Sequence, residues 1–252
     1  MKKIVLGLLA HPDDIEFMCA GTLSLLRKAG WEVHFASMTA GDKGSAELGR
    51  DDIAAVRKAE AAAAAKLIGA RYHCIGLEDI YILYNKESIN KTTALLRKIR
   101  PDVVFTASPS DYMVDHEMCS LIVQTACFSM GIRNLEVSEK TCEKFPYLYY
   151  CDAMEGKDKL GNPLFPTMYV DITNEILLKE KMLSQHDSQR AWLMNHHKID
   201  EYLLSMKRFS EQRGKEAGVE YAEGFRQHLG HSYPQKNILK EVLEDAVKLI
   251  VQ

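Results

Sequence analysis

Two short clusters hold residue types able to bind a divalent metal and activate water: His11-Pro12-Asp13-Asp14 near the start of the chain and Asp115-His116 about a hundred residues later. Imidazole nitrogens and carboxylate oxygens suit zinc, and three protein ligands leave a coordination position open for water. Neighbouring residues at a helix start point about 100° apart, because a turn takes about 3.6 residues. Asp14 can therefore ligate while Asp13 faces the water as general base. Each cluster also has a plainer explanation. Pro-Asp-Asp is a common helix start whose carboxylates cap free backbone N–H groups, and a histidine such as His116 is ordinary in a first helical turn. The clusters carry weight as a pair.

The elements around them explain how they could meet. Ile4 to Leu9 is a continuous apolar run, as in a parallel strand covered on both faces. Phe17, Ala20, Leu23, Leu26 and Ala29 recur at helical spacing up to Gly30, and Val33 to Met38 is a second strand, so residues 3 to 38 predict a βαβ unit. A helix is expected over about Asp52 to Ile68, a short third strand over Arg71 to Ile75, a helix over Ser88 to Arg100 and a fourth strand over Val103 to Thr106. A polar loop from Ser108 to Asp115 then leads into a helix over about His116 to Met130. This alternation predicts an α/β fold: a Rossmann-like, mostly parallel sheet with helices on both faces. Ligands of such sheets gather at the carboxyl ends of the strands, where both clusters lie.

Pro146 to Tyr150 and Met168 to Ile172 read as strands, and residues 176 to 213 as mostly helical. Gly214 to Pro234 reads as loop-rich, before a final helix from about Leu239. With no internal repeat and no low-complexity linker, the 252 residues are expected to form a single domain: a core over about 3–190 and a C-terminal elaboration over about 190–252.

Thirty-two basic and 35 acidic side chains give a net charge of −3, which supplies no basic footprint for nucleic acid. Six cysteines, none at C-x-x-C spacing, read as reduced thiols. Lys2-Lys3 and the apolar run after them superficially resemble a secretory leader, yet charged residues stand where a cleavage site needs small ones. No run approaches the ~20 apolar residues of a membrane span, so no membrane insertion and a cytoplasmic location are expected. The chain has no G-x-G-x-x-G after its first strand, no Walker-type Gly-Lys-Ser/Thr and no H-E-x-x-H, which argues against dinucleotide, P-loop and zincin chemistry.

The strand followed by Ala10-His11-Pro12-Asp13-Asp14-x-Glu16, with Gly21-Thr22-Leu23 in the next helix, closely resembles the LmbE-like/PIG-L family of zinc-dependent de-N-acetylases. Thr39-x-Gly41-Asp42, Arg57-x-x-Glu60 with Leu67-x-Gly69, Asp115-His116, and Tyr169-Val170-Asp171-Ile172 with Lys181 and Ser184-Gln185 extend the likeness over roughly residues 3 to 190. The resemblance implies His11, Asp14 and His116 as Zn²⁺ ligands and Asp13 as general base. It further implies removal of an acetyl group from an N-acetylated amino sugar or its conjugate. Asp115 is expected to orient its neighbours by a hydrogen bond, Arg57 and Asp42 to contact substrate or the metal loop, and a homo-oligomer is possible by analogy. A solvated charge on an exposed helix is the plainer account of Arg57.

One position departs from the pattern. Many members carry His-Pro-Asp-His at the second motif, where this chain has Met113-Val114-Asp115-His116. A thioether cannot donate a proton, so another donor is expected. His228 and His231 are the candidates, with His231 near substrate and His196 and His197 behind them. Tyr81, Tyr84, Tyr112 and Trp192 could line a sugar cleft or serve as core and interface aromatics. The missing histidine also leaves open a non-catalytic sugar or nucleotide-sugar binder on the same scaffold.

Overall fold

The computed structural model describes residues 2–190 and 201–250. Its first half is the predicted alternation: β1 (Ile4–Leu9), α1 (Asp14–Met18), α2 (Ala20–Lys28), β2 (Glu32–Thr39), α3 (Arg50–Lys66), β3 (Arg71–Leu77), α4 (Lys86–Ile99), β4 (Val103–Thr106) and α5 (Val114–Ser129). The second half adds β5 (Tyr147–Cys151), β6 (Met168–Asp171), α6 (Ile176–Leu183), α7 (Glu201–Ala217), β7 (Ala222–Gln227), α8 (Ile238–Leu243) and β8 (Val247–Leu249).

All eight strands join one sheet in the order β3-β2-β1-β4-β5-β7-β6-β8. The first five in that order run parallel, whereas β7, β6 and β8 pair antiparallel. Two apolar cores flank the sheet, and β1 serves both by alternation. Val5 and Leu9 enter the core beneath α2, α3 and α6, while Leu6, Leu8 and Ala10 enter the one beneath α4 and α5. The strand order reverses direction between β1 and β4, so the crevice beyond their carboxyl ends is where this topology accepts ligands.

The expected loop-rich stretch Gly214 to Pro234 is a correction. It contains β7, which lies between β5 and β6 inside the sheet. Glu223 hides this strand from a hydropathy reading. Its buried carboxylate accepts from the Gly21 and Thr22 N–H groups at 2.9 and 2.8 Å and from Lys179 Nζ at 2.7 Å. Glu223 thus satisfies free donors at the start of α2, a residue of the expected elaboration completing an element of the core. The expected final helix is shorter than its pattern, α8 giving way to β8 at Val247. Among the described residues no helix is long and apolar enough to cross a membrane.

Candidate metal centre and active site

β1 ends at Leu9, and the chain turns sharply into the short α1. Asp13 takes a left-handed backbone conformation there, φ 101°, which a non-glycine residue adopts at a cost. The plain helix-cap account of the first cluster fails for Asp13, whose carboxylate makes no cap hydrogen bond. It is held instead by two distant side chains: Tyr202 on α7 donates its hydroxyl to Oδ2 at 2.6 Å, and Arg57 on α3 approaches Oδ1 at 3.4 Å. Arg57 also donates to the Pro12 carbonyl at 2.9 Å, and its guanidinium is buried against Gly41. Gly41 has φ +67°, and a Cβ there would stand 2.2 Å from Arg57 Nη1, so both the backbone and the close approach require glycine.

The crevice brings His11, Asp14 and His116 together. His11 Nδ1 lies 3.5 Å from Asp14 Oδ2 and His116 Nε2 lies 3.5 Å from Asp14 Oδ1. One ligand atom from each of the three residues falls within a common 4.8 Å, and all three are buried. Ligands about 2.0–2.2 Å from a tetrahedral zinc stand about 3.3–3.5 Å apart, and each imidazole meets one oxygen of Asp14 at such a separation.

The remaining ring nitrogens are equally well placed. His11 Nε2 lies 3.0 Å from Asp79 Oδ1 and 3.2 Å from Asp115 Oδ2, and His116 Nδ1 lies 3.0 Å from Asp111 Oδ1. Metal-binding imidazoles are commonly oriented in this way, a carboxylate accepting the second N–H and fixing the tautomer. Burial opposes charge on His11, but its bonds to Asp115, Asp14 and Asp79 outweigh burial and raise it well above the usual imidazole value. Burial likewise opposes charge on His116, yet Asp14 and Asp111 bring it to about 10. Burial would raise the Asp14 carboxyl, and His116 and His11 instead hold it well below the usual range. Four buried carboxylates around two imidazoles leave an electrostatic environment that calls for a cation.

The loop after β3 was absent from the sequence-based expectation. Asp79 sits on it, and Asp42 fixes it by accepting from the Asp79 N–H at 3.0 Å and from Arg50 Nε at 2.6 Å. Asp42 borders a neighbouring hollow, and its contact is with the loop that carries Asp79. The next residue, Ile80, has φ 72°, an outlier for a β-branched residue, and donates its N–H to Asp115 Oδ2 at 2.8 Å. The carboxyl-end rule is the signal that could have found Asp79 after β3 and Asp111 after β4. Tyr202 left no local signal.

His11, Asp14 and His116 open into a cavity of about 420 Å³ that also exposes Asp13, Arg57, Lys43, Tyr112 and Tyr202. Met113 lines it too, so the departure from the family pattern faces the site. The expected replacements do not. β7 runs antiparallel to β5, so its continuation leads away from the carboxyl edge, and the His228 N–H bonds to the Leu148 carbonyl at 2.8 Å near the start of β5. The His228 ring shares a 2.8 Å hydrogen bond with the Tyr150 hydroxyl and packs on Tyr233. His228 and His231 both lie outside the residues lining the cavity, which corrects their placement in the site. Of the four aromatics, Tyr112 reaches the cavity, Tyr81 borders the neighbouring hollow, and Tyr84 bonds Thr125 on α5. Trp192, His196 and His197 lie outside the described residues.

Residues 6–127 match the family model described as PIG-L, GlcNAc-PI de-N-acetylase. A curated 4-oxalmesaconate hydratase of Pseudomonas putida is 26% identical over 133 residues, 50% of this chain and 52% of that protein. The chain thus aligns with about half the length of this curated relative. Among solved structures, the N,N'-diacetylchitobiose deacetylase of Pyrococcus horikoshii is 25% identical with a TM-score of 0.78, covering 94% of this chain and 88% of that one. The 4-carboxy-2-hydroxymuconate hydratase of Pseudomonas putida, 20% identical with a TM-score of 0.77 over 93% and 100% of the two chains, shares the fold.

Proposed function

We infer that the chain, which over its N-terminal region belongs to the PIG-L/LmbE-like family, is a zinc-dependent hydrolase that removes an acetyl group from an N-acetylated amino sugar or its conjugate. The observation that carries this reading is Asp13, a carboxylate beside the proposed ligands whose oxygens are held by Tyr202 and Arg57 although its backbone is strained. A pure binding protein has no use for such a base.

His11, Asp14 and His116 would hold the metal, which when bound supplies Lewis acidity and a water of lowered pKa. Asp79, Asp115 and Asp111 keep the two imidazoles turned toward it. Asp13 accepts the proton of the attacking water and returns it to the departing nitrogen, and with that return no histidine is needed at position 113. Tyr202 and Arg57 keep the carboxylate aimed at the cavity throughout. Tyr112 and Ser205 are available to the substrate from the walls, beside Lys43, which is paired with Glu78 at 2.8 Å.

Acetate release from N-acetylglucosamine derivatives tests the reading. The zinc-loaded protein should turn over, and Asp13→Asn should lower kcat about 10²–10⁴-fold with zinc content intact. Equal turnover by the variant would remove the role given to Asp13. Hydration of an unsaturated carboxylic acid is a second reading, favoured by the likeness to the hydratase. Loss of a conjugated absorbance without acetate release would select it.

A further inference from the structure

Among the described residues, six buried side-chain polar atoms have no hydrogen-bond partner, and four of them gather near Asp13: Glu16 Oε1, Arg57 Nε and both ring nitrogens of His186. Three elements meet there. Glu16 belongs to α1, Arg57 to α3, and His186 lies three residues beyond α6, which packs on both of those helices. The His186 ring is wholly buried, and its Nε2 stands 3.5 Å from Glu16 Oε2, beyond a good hydrogen bond. Burial opposes charge on this ring, yet the Glu16, Asp13 and Glu60 carboxylates raise it above the ordinary imidazole value, so all three lie within its reach.

Glu60 follows Arg57 by three residues, on the same face of α3. Its carboxylate accepts from the Ser188 N–H at 2.8 Å and from the Ser188 hydroxyl at 2.7 Å. The segment that carries His186 is thereby fastened to the helix that carries Arg57. A dry interior penalises every unpaired polar group, and folded proteins satisfy such groups with ordered water or an ion. The chemistry of the cluster selects between the two. Asp13 is taken up by Tyr202 and Arg57, and Glu60 by Ser188, which leaves one free carboxylate oxygen, too few ligands for a cation beside a guanidinium. The same carboxylates repel an anion. A water molecule can accept from Arg57 Nε, donate to Glu16 Oε1 and serve His186 as donor or acceptor.

We propose that Glu16, His186 and Arg57 close around bound water, and that this hydrated site holds the guanidinium from behind while Nη2 stays on the Pro12 carbonyl and Asp13. His186 is then a positioning residue for the base. It acts through water and Arg57, and it lies outside the residues lining the metal cavity. The site stands on the fold alone, whereas its effect on turnover rests on the role given to Asp13 above.

A crystal structure of the zinc-loaded full chain, at a resolution that orders water, tests the site. Water should appear within about 3.2 Å of both Arg57 Nε and Glu16 Oε1. An empty site, or His186 closed directly onto Glu16, overturns the proposal. Kinetics test the positioning role. His186→Phe removes both ring nitrogens and should lower kcat for acetate release from N-acetylglucosamine about 10-fold, with KM and zinc content unchanged. His186→Asn is smaller and still polar, so it leaves room for water and should return kcat to within about 3-fold of the wild type. Equal kcat for wild type and His186→Phe, or a loss in His186→Asn as deep as that in His186→Phe, overturns the positioning role. Should His186→Phe fail to fold, the wild-type density and the kcat of His186→Asn decide. A wild type that holds both the water and zinc yet releases no acetate would overturn the deacetylase reading and leave the water site standing.

Discussion

The parallel and antiparallel halves of the sheet contribute to the site by different means. In the parallel half, His11 lies two residues beyond β1, Asp79 two beyond β3, and Asp111 five beyond β4, with Asp115 and His116 opening α5. Strand ends place them directly. The antiparallel half supplies none of the three proposed ligands. It sends Tyr202 in from α7, and it is locked to the first half through Glu223. Topology alone can therefore assemble the candidate metal centre, whereas long-range polar contacts set Asp13 and the walls around it.

The largest test of that division is His116→Ala. If the parallel half makes the metal centre, bound zinc should drop from about one per chain to a small fraction. Activity should fall at least ~10³-fold, because the Lewis acid is lost with the ligand. Retention of zinc in elemental analysis would break the comparison, since a ligand would then have to come from elsewhere.

Glu223→Ala should cost stability rather than metal. Removing one partner of a buried ion pair costs about 3–5 kcal/mol, and here Lys179 would be stranded and the Gly21 and Thr22 donors left unsatisfied. Denaturant unfolding should show that loss, with zinc content per folded chain unchanged. A loss below about 1 kcal/mol would mean that the halves are not joined through this carboxylate.

Tyr202→Phe removes the donor to Asp13 and keeps the ring against Phe17. Loss of such a supporting hydrogen bond commonly costs about 10–100-fold in activity at metal sites. The decrease should fall on kcat, with KM and zinc content little changed. A decrease in KM-dependent terms alone would make Tyr202 a substrate contact instead.

Legibility in the sequence splits along the same divide. His11, Asp14 and His116 stand beside long apolar or helical patterns whose order already implied the crevice. Asp79 and Asp111 were equally accessible to the carboxyl-end rule, but neither belongs to a recognisable motif. Arg57 was expected at the substrate or the metal loop rather than solvated, and its contacts with Pro12 and Asp13 of that loop exist only once α3 has packed. β7 was illegible for a physical reason: Ala222-Glu223-Gly224-Phe225-Arg226-Gln227 looks solvated until Lys179 and α2 satisfy Glu223 and Ser108 receives Arg226 at 2.7 Å. His228 looked suitable because a histidine in a glycine-containing loop is often functional, and strand direction alone sends it away.

The smallest expected effect lies in the parallel half but away from its carboxyl edge. His34 Nδ1 and His73 Nε2, each three residues into its strand, share a hydrogen bond of 2.9 Å, and His34 Nε2 meets Glu32 at 3.1 Å. Burial, His34, Lys98 and Arg71 together press the His73 imidazole down to about 4. The unfolded chain binds that proton near the ordinary value of about 6.5, so below it the unfolded state takes up more protons than the folded one. This contribution to stability is whole above about pH 6.5 and is lost as the pH falls toward 4. The wild type should lose stability over that interval faster than His73→Asn, while zinc occupancy at pH 7 stays equal in the two. Parallel stability curves for both proteins would show that this strand pair, unlike the crevice at the other end of the same strands, tolerates its charge.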